Sequence, residues 1–330
     1  KLKIDFNVSY TKRDADRGDE RAFEFAQFYN PTAPIYGDDS PFAFNSAQYG
    51  GYFESLGLFR SYNPVAIIEQ TRNTRNSTDF NYNVNAVYDV SDSFDITVRA
   101  SEQRTTSKDQ LYRPTTLLFE GNAVSPTRRG LATHGTFDLS TKVYEMFGTW
   151  NTSLGGDSQL SITGGYSYNQ INSNGMSFGL GDFPDNSIDY SDAIQNSQDL
   201  LNDGYITANS YASPDEKLIA MFGRVNLVLN NLFVNASLRR EGSSKLGADN
   251  KWGAFPAFGV GADVNSMFGL GLDKLKVRVG YATTGNIPGP NGLSVQARNF
   301  VYSGGGSAGG ATTLARAANP DLKWEEKAET

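Results

Sequence analysis

The 330-residue chain is rich in aromatics (17 Tyr, 21 Phe, 3 Trp), yet only 38% of it is hydrophobic, against about half in an ordinary soluble domain. It lacks cysteine and has one histidine, His134, which excludes a disulfide framework, a thiolate metal site and a Cys nucleophile and leaves a Ser-His-Asp triad little to build on. The charge of -7 comes without a basic run, excluding nucleic acid as a partner, and the longest apolar run, 218–222, is far short of the about 20 residues of a membrane-spanning helix.

Strict alternation is the dominant pattern. Leu2, Ile4, Phe6, Val8 and Tyr10 oppose Lys3, Asp5, Asn7 and Ser9. Phe80, Tyr82, Val84, Ala86 and Tyr88 oppose Asp79, Asn81, Asn83 and Asn85, and Phe94, Ile96, Val98 and Ala100 oppose Asp95, Thr97, Arg99 and Ser101. The same period returns at Leu160 to Tyr168, Leu232 to Leu238 and Leu275 to Tyr281. Successive strand side chains point to opposite faces, so each segment is a two-faced ribbon. The pattern predicts strands near 2–10, 79–90, 94–104, 140–153, 158–170, 217–229, 232–240, 254–264, 274–284 and 292–302. In 140–153 the faces are mixed, with Val143 and Phe147 on one and Tyr144, Met146 and Trp150 on the other; a wall touching protein on its inner side accounts for that.

Short connections at 91–93, 154–157 and 230–231 alternate with long ones at 11–78, 105–139, 171–216 and 241–253. Long structureless loops are uncommon in compact domains, whereas outer-membrane barrels pair tight periplasmic turns with long extracellular loops. The predicted class is therefore all-β: an antiparallel transmembrane β-barrel. A soluble β-sandwich gives the same alternation and stays open as the alternative. Ten strands without a closing pattern, an opening at Lys1 without Met, and an end in mid-pattern lead us to expect that residues 1–330 are part of a larger barrel, with further strands elsewhere.

Residues 239–330 carry a specific set of motifs: Arg239-Arg240-Glu241-Gly242-Ser243-Ser244-Lys245-Leu246-Gly247, Trp252-Gly253-Ala254-Phe255-Pro256, Leu275-Lys276-Val277-Arg278-Val279-Gly280-Tyr281, Thr284-Gly285-Asn286, and Asn319-Pro320-Asp321-Leu322-Lys323-Trp324-Glu325. In order and spacing this resembles the barrel of SusC/RagA-type TonB-dependent outer-membrane transporters. Glu241, Leu246, Gly261-Ala262, Gly280 and Ala282 depart from that family's usual residues. The resemblance implies a barrel of about 22 strands in the outer membrane of a Gram-negative bacterium. It would import large nutrients, oligosaccharides or peptides, with energy from the TonB complex acting on a plug that is expected to lie, like the C-terminal strands, outside residues 1–330, beneath a SusD-like surface lipoprotein lid. It implies no enzyme activity and no cofactor.

By their chemistry the motif residues read as wall and loop scaffolding, with substrate contact the minority role. Gly242-Ser243-Ser244 suits a loop leaving a strand, Phe255-Pro256 a strand start, and Asn319-Pro320 a turn. Loop aromatics Phe42, Phe44, Tyr49, Tyr52, Phe53 and Phe59 are candidates for stacking on sugar rings. Carboxylates at 14–20 alternate as in calcium loops but lack EF-hand spacing and include Arg17, so a solvated loop is expected. The 185–204 stretch is read as a short loop helix, and 303–310 as a glycine-rich loop. His134 falls in the predicted 105–139 loop. Two other functions fit an all-β chain: a passive porin or structural outer-membrane barrel, and a secreted β-rich adhesin or carbohydrate-binding protein.

Overall fold

The computed structural model describes residues 1–37, 43–55, 62–119, 129–187, 189–201, 207–213, 215–301 and 311–330. One antiparallel sheet dominates. Its strands run in the order β1 (Leu2–Asp16), β2 (Arg72–Ser91), β3 (Phe94–Arg113), β4 (Leu131–Gly155), β5 (Ser158–Gly181), β7 (Glu216–Leu229), β8 (Leu232–Ser243), β9 (Trp252–Asp263), β10 (Lys276–Asn286) and β13 (Glu325–Glu329). A short β6 (Thr207–Ala212) pairs with the upper half of β5. β11 (Ala297–Val301) and β12 (Ala311–Arg316) form a separate hairpin, so the predicted wall strand at 292–302 belongs to a loop instead. Its place beside β10 is taken by β13, whose sequence shows little apolar alternation.

The tight turns fall where the sequence places them. Asn230 closes the β7–β8 turn with φ 49°, and Gly155 and Gly156 close β4–β5 at 96° and 55°, conformations that Gly and Asn tolerate best. Between β9 and β10 lies α3 (Val264–Phe268), capped by Asp263 accepting from the Ser266 amide and stopped by Gly269 at φ 58°.

The opposite ends differ from expectation. β2, β3, β4 and β5 have 20, 20, 25 and 24 residues, far more than the about 9–11 that cross hydrocarbon at a tilt. Each continues well into what alternation marks as loop, and His134 accordingly lies on β4. The reason is chemical. Above Phe80, Ala100, Tyr144 and Tyr168 the outward face turns mainly polar and apolar residues such as Leu139, Ile171 and Met176 fall on either face, so the period-2 signal fades while backbone pairing goes on unbroken.

Register places the apolar side chains in rows on one face, such as Phe6–Val84–Ala100–Tyr144–Tyr168–Ile219 and Ile4–Ala86–Val98–Met146–Tyr166–Met221. Among the described residues no second layer of protein covers this face: Ile4 is 60% exposed, Phe6 67% and, farther along the sheet, Val279 72%. The upper edge of this band slants across the rows. It lies at Phe80 on β2 but at Tyr281 on β10, whose row runs back to Phe94 beside Ser91. That is a drift of about ten residues over seven strand spacings, about 33 Å against about 34 Å. A flat apolar layer crossing such a sheet requires strands tilted near 45°, close to the tilt of membrane barrels.

Buried apolar clusters are small and sit off this band. Ala22, Phe25, Ala66, Ile67, Leu117 and Phe119 form one above the wall, Tyr112, Ala132, Phe183 and Tyr190 a second, and Leu246, Phe255 and Trp324 a third.

Candidate functional site

The face opposite the apolar band is polar and cross-linked. One transverse row carries Asp5, Asn85, Arg99, Glu145, Ser167 and Glu241. Asn85 donates to Asp5 at 3.5 Å and accepts from Arg99 Nε at 3.2 Å, and Arg99 Nη1 lies 3.6 Å from Glu145 Oε2. Farther along, Arg239 donates twice to Glu241, at 3.0 Å each, and reaches Ser167 Oγ at 3.4 Å. The adjoining row holds Phe147 and Phe222, 6.4 Å apart, with the Arg99 guanidinium 5.1 Å above Phe147. This accounts for the mixed pattern of 140–153: Phe147 is an inner-face aromatic, whereas Tyr144, Met146 and Trp150 face outward. Nearer the top, Arg75 and Arg17 both donate to Asp109, at 2.6 Å, and Thr105 donates to Asp79 at 2.6 Å. Such a face suits a hydrated passage. Among the described residues no three His, Asp or Glu side chains gather as a metal site.

The motif residues of 239–330, far apart in sequence, meet on this inner face. Phe255 and Trp324 pack edge to face with centroids 5.1 Å apart, against Leu246. Trp324 Nε1 donates to the Lys251 carbonyl at 3.0 Å, and Asn286 donates to Glu325 at 2.9 Å. Gly285 is needed for close approach, since a Cβ there would lie 2.2 Å from the Phe255 ring and 2.9 Å from Trp324. Gly247 donates to the Leu322 carbonyl at 2.8 Å, and its own Cβ would overlap the Pro320 oxygen at 1.7 Å. Leu322 donates in turn to the Asn319 carbonyl. Ser243 accepts from the Lys245 amide and Ser244 from the Lys217 amide, while buried Lys245 bridges Glu216 at 2.9 Å and the Gly289 carbonyl at 2.7 Å. Gly253 lies under Trp324, Pro256 stays on the wall with its carbonyl accepting from Thr283, and Arg240 rests over outward-facing Trp252 at 5.2 Å. The motifs thus tie β7, β8, β9, β10, β13 and two upper loops into one knot.

Above the wall, the long connection after β1 folds into a cap of α1 (Arg21–Ala26) and α2 (Pro64–Gln70). Buried Asn63 organises it. The side chain accepts from the Val65 and Ala66 amides as helix cap and donates to the Ile35 and Phe53 carbonyls, while the Asn63 amide donates to Glu54 at 3.1 Å. Burial pushes the Glu54 carboxyl up to about 7, against the lowering pull of the Asn63 amide and Arg129. Arg113, at the top of β3 and only 1% exposed, donates to Asp19 at 2.6 Å, and Arg21 donates to the same carboxylate at 3.1 Å. Both guanidiniums lie over the Phe119 ring, at 5.1 and 4.7 Å. The 14–20 carboxylates are therefore dispersed, Asp14 to Lys12 and Asp19 to the arginines.

Of the candidate stacking aromatics, Tyr49 is buried beneath the Arg129 guanidinium, 5.3 Å away. Tyr52 is half-buried, 5.4 Å from Tyr36, and donates to Glu69; burial first, and then that carboxylate, pushes its phenol up to about 12. Phe53 is half-buried, Phe44 lies in the 3-10 helix of Ala43–Tyr49, and Phe42 and Phe59 lie outside the described residues. The 185–204 stretch contributes 3-10 turns at Tyr190–Asp192, Ile194–Asn196 and Gln198–Leu201. Sequence reasoning missed Asn63, Glu54 and Arg113, and read Asp19 as part of a solvated loop although it is buried. Asn63-Pro64 ahead of an apolar run is a legible helix start; Glu54 and Arg113 carry no local signal.

Comparison with known proteins agrees with this geometry. Residues 8–328 match the family model for the TonB dependent receptor-like β-barrel. The chain is 27% identical over 313 residues to TonB-dependent receptor P3 of Formosa agariphila, covering 92% of this chain and 28% of that protein. It is 26% identical over 365 residues to TonB-dependent receptor SusC of Bacteroides thetaiotaomicron, covering 98% and 33%. Among solved structures, the RagAB peptide importer in its closed-closed state superposes with a TM-score of 0.77 at 15% identity, over 99% of this chain and 35% of that one. At that identity the likeness is one of fold. The chain spans about a third of the length of these relatives.

Proposed function

Since the chain belongs to the TonB-dependent receptor-like β-barrel family, we propose that it is a section of the wall and extracellular cap of an outer-membrane importer of SusC/RagA type. In this reading the barrel takes up large nutrients, oligosaccharides or peptides, driven by the TonB complex through a plug carried elsewhere in the polypeptide. A SusD-like surface lipoprotein closes it from outside. The observation that carries the reading is the two-sided sheet: an apolar face without protein cover, backed by a hydrogen-bonded polar face. A secreted adhesin or soluble sandwich would bury the first face in a core. A passive porin is disfavoured by the cap, whose helices are fixed to the wall through Asp19 and Arg113.

The proposed lid partner has a place to rest. Phe23 and Ile68 of the cap helices, and Phe28 in the turn after α1, are 73%, 49% and 53% exposed in the part of the molecule that would face the medium. For substrate, Tyr52 of the 42–59 stretch and the neighbouring Tyr36 offer a pair of rings 5.4 Å apart, and aromatic faces are suited to sugar rings.

The test is uptake in a strain that lacks the gene and is complemented by it. Growth on a glycan or peptide source should return with the gene and fail again when the TonB complex is disabled. Uptake indifferent to the TonB complex would leave the passive reading in its place. Alanine at Tyr36 and Tyr52 together should weaken ligand affinity; unchanged affinity and uptake would remove these rings from the site.

A further inference from the structure

β5 changes partner partway up the wall. β7 pairs with it as far as Glu216 opposite Ile171, and β6 resumes at Ala212 opposite Asn174. From Ile171 to Asn174 is three steps, from Glu216 to Ala212 four, so the second strand carries one extra residue, as in a β-bulge. One extra residue exchanges the two faces of a strand. Ile219 and Met221 of β7 face outward, whereas Tyr211 sits opposite Gly175, and Asn209 opposite Ser177, on the inner face. Hydrogen bonds fix the break. Asp215 accepts from Gln170 at 2.7 Å and from Asn172 at 2.6 Å, and the Ser213 amide donates to the Ser173 carbonyl at 2.8 Å. Bulges at barrel rims serve to re-aim side chains, and those turned inward here are an aromatic ring and an amide.

Both border an opening. A pocket of about 300 Å³ is lined by Asp109, Thr133, Gly135, Ser177, Asn209 and Tyr211 among others. Two glycines shape this part of the wall. A Cβ on Gly175 would fall 3.0 Å from a Tyr211 ring carbon and 3.1 Å from its hydroxyl, so the ring lies across that position. A Cβ on Gly135 would meet nothing nearer than the Asp109 Cβ at 3.6 Å, so the missing side chain leaves an open floor. Tyr211 is 47% exposed. Among the described residues, the side chains of Thr133, Ser177, Asn209 and Tyr211 make no hydrogen bond to protein. Asp109 is already paired, accepting from Arg17 and Arg75 at 2.6 Å each, and neither Lys nor Arg lines the pocket.

We propose that this pocket is a subsite for one unit of a neutral oligosaccharide, with the sugar lying on the exposed Tyr211 ring and its hydroxyls bound by Asn209, Ser177 and Thr133. A sugar ring is apolar on one face and carries hydroxyls at its rim, which matches an aromatic face bordered by an unpaired amide and unpaired hydroxyls. A peptide fits less well, since its charged termini and side chains meet no unpaired charge here. The subsite is built on β3, β4, β5 and β6 and shares no residue with the Tyr36–Tyr52 pair. It rests on the importer reading above and selects sugar over peptide among the substrate classes of that reading.

The test titrates the full-length protein in detergent with neutral hexasaccharides of glucose, mannose and xylose, and separately with a pool of hexapeptides, by calorimetry. The wild type should bind at least one hexasaccharide. Tyr211→Ala removes the platform, and Gly135→Val fills the floor with a residue that suits a strand; each should weaken that binding about tenfold. Tyr211→Phe keeps the ring and should weaken it no more than about threefold. Variants are compared after heat-modifiable gel mobility shows them folded, and Gly135→Val keeps the test open should Tyr211→Ala not fold. Unchanged affinity in either of these two overturns the subsite and leaves the importer reading standing. A wild type that binds peptides and no hexasaccharide does the same. If it binds neither, the subsite fails, and the growth test above shows whether the importer reading falls with it.

Discussion

Gly285 shows how a single backbone position can set the inner wall. Its α-carbon faces the crossed rings of Phe255 and Trp324, and a methyl group 2.2 Å from the Phe255 ring has no space. Gly285→Ala is therefore expected to force the rings apart and to cost about 1–3 kcal/mol, as overpacking does. Trp324→Phe loses the bond to the Lys251 carbonyl, about 1 kcal/mol, and leaves a cavity where the second ring packed. Both variants should lower the temperature at which the folded barrel loses its fast gel mobility, and an unchanged temperature for Gly285→Ala would show that the rings yield freely. Glu54 makes a second residue-scale prediction. The folded cap keeps this carboxyl protonated up to about 7, whereas an exposed glutamate releases its proton near 4.5. Between those values the closed cap holds one more proton than the opened one, so its stability is full below the lower value and falls as pH rises through the window. Amide exchange in α2, corrected for intrinsic rate, should be slower at about pH 5 than at about pH 8, and Glu54→Gln should abolish the difference.

At the scale of elements, what the sequence discloses depends on which faces are apolar. β8 could be placed to within a few residues because Leu232, Val234, Ala236 and Leu238 alternate with polar neighbours along nearly its whole length. The upper halves of β2 to β5 could not, because a strand flanked by water on both sides has no reason to alternate, and only cross-strand pairing defines it. β13 was hidden for the same reason, its five residues all being exposed. The motif knot was legible as a set of strings but not as one object. That Gly247 rests on Pro320 and Gly285 on Phe255 depends on strands brought together by long-range pairing. The cap was legible least, being held by contacts such as Asp19 to Arg113 that span 94 residues. This ion pair is buried, so removing one partner leaves an uncompensated charge and costs about 3–5 kcal/mol. Asp19→Asn should accordingly release the cap from β3. Limited proteolysis would then cut within 17–71 while leaving the wall intact; a cleavage pattern like that of the wild type would show that the hydrophobic cluster around Ile67 and Leu117 holds the cap by itself.

For the molecule as a whole, the slanted band and the two chemistries of the sheet express one arrangement, a tilted wall with hydrocarbon on one side and water on the other. The slope follows from register alone: rows of paired residues run across the strands, whereas the boundary of an apolar layer runs parallel to the membrane. Val225 and Asn226 sit at adjacent positions near the middle of β7, both exposed, with side chains on opposite faces. The absence of cysteine makes each addressable by one substitution. A fluorophore on Val225→Cys should be quenched by brominated lipid chains and indifferent to aqueous iodide, and one on Asn226→Cys should lose most of its lipid quenching. A soluble sandwich would shield position 225 from both quenchers, because its apolar face would be covered by a second sheet. Charge should separate the positions in energy as well. Val225→Arg puts a guanidinium into hydrocarbon at about 2–4 kcal/mol, whereas Asn226→Arg adds it to a face that already carries Arg224 and Arg239 in water. The two variants should differ in folding efficiency into vesicles by that amount, with the first the poorer; equal folding would place both faces in the same medium and remove the membrane from the account.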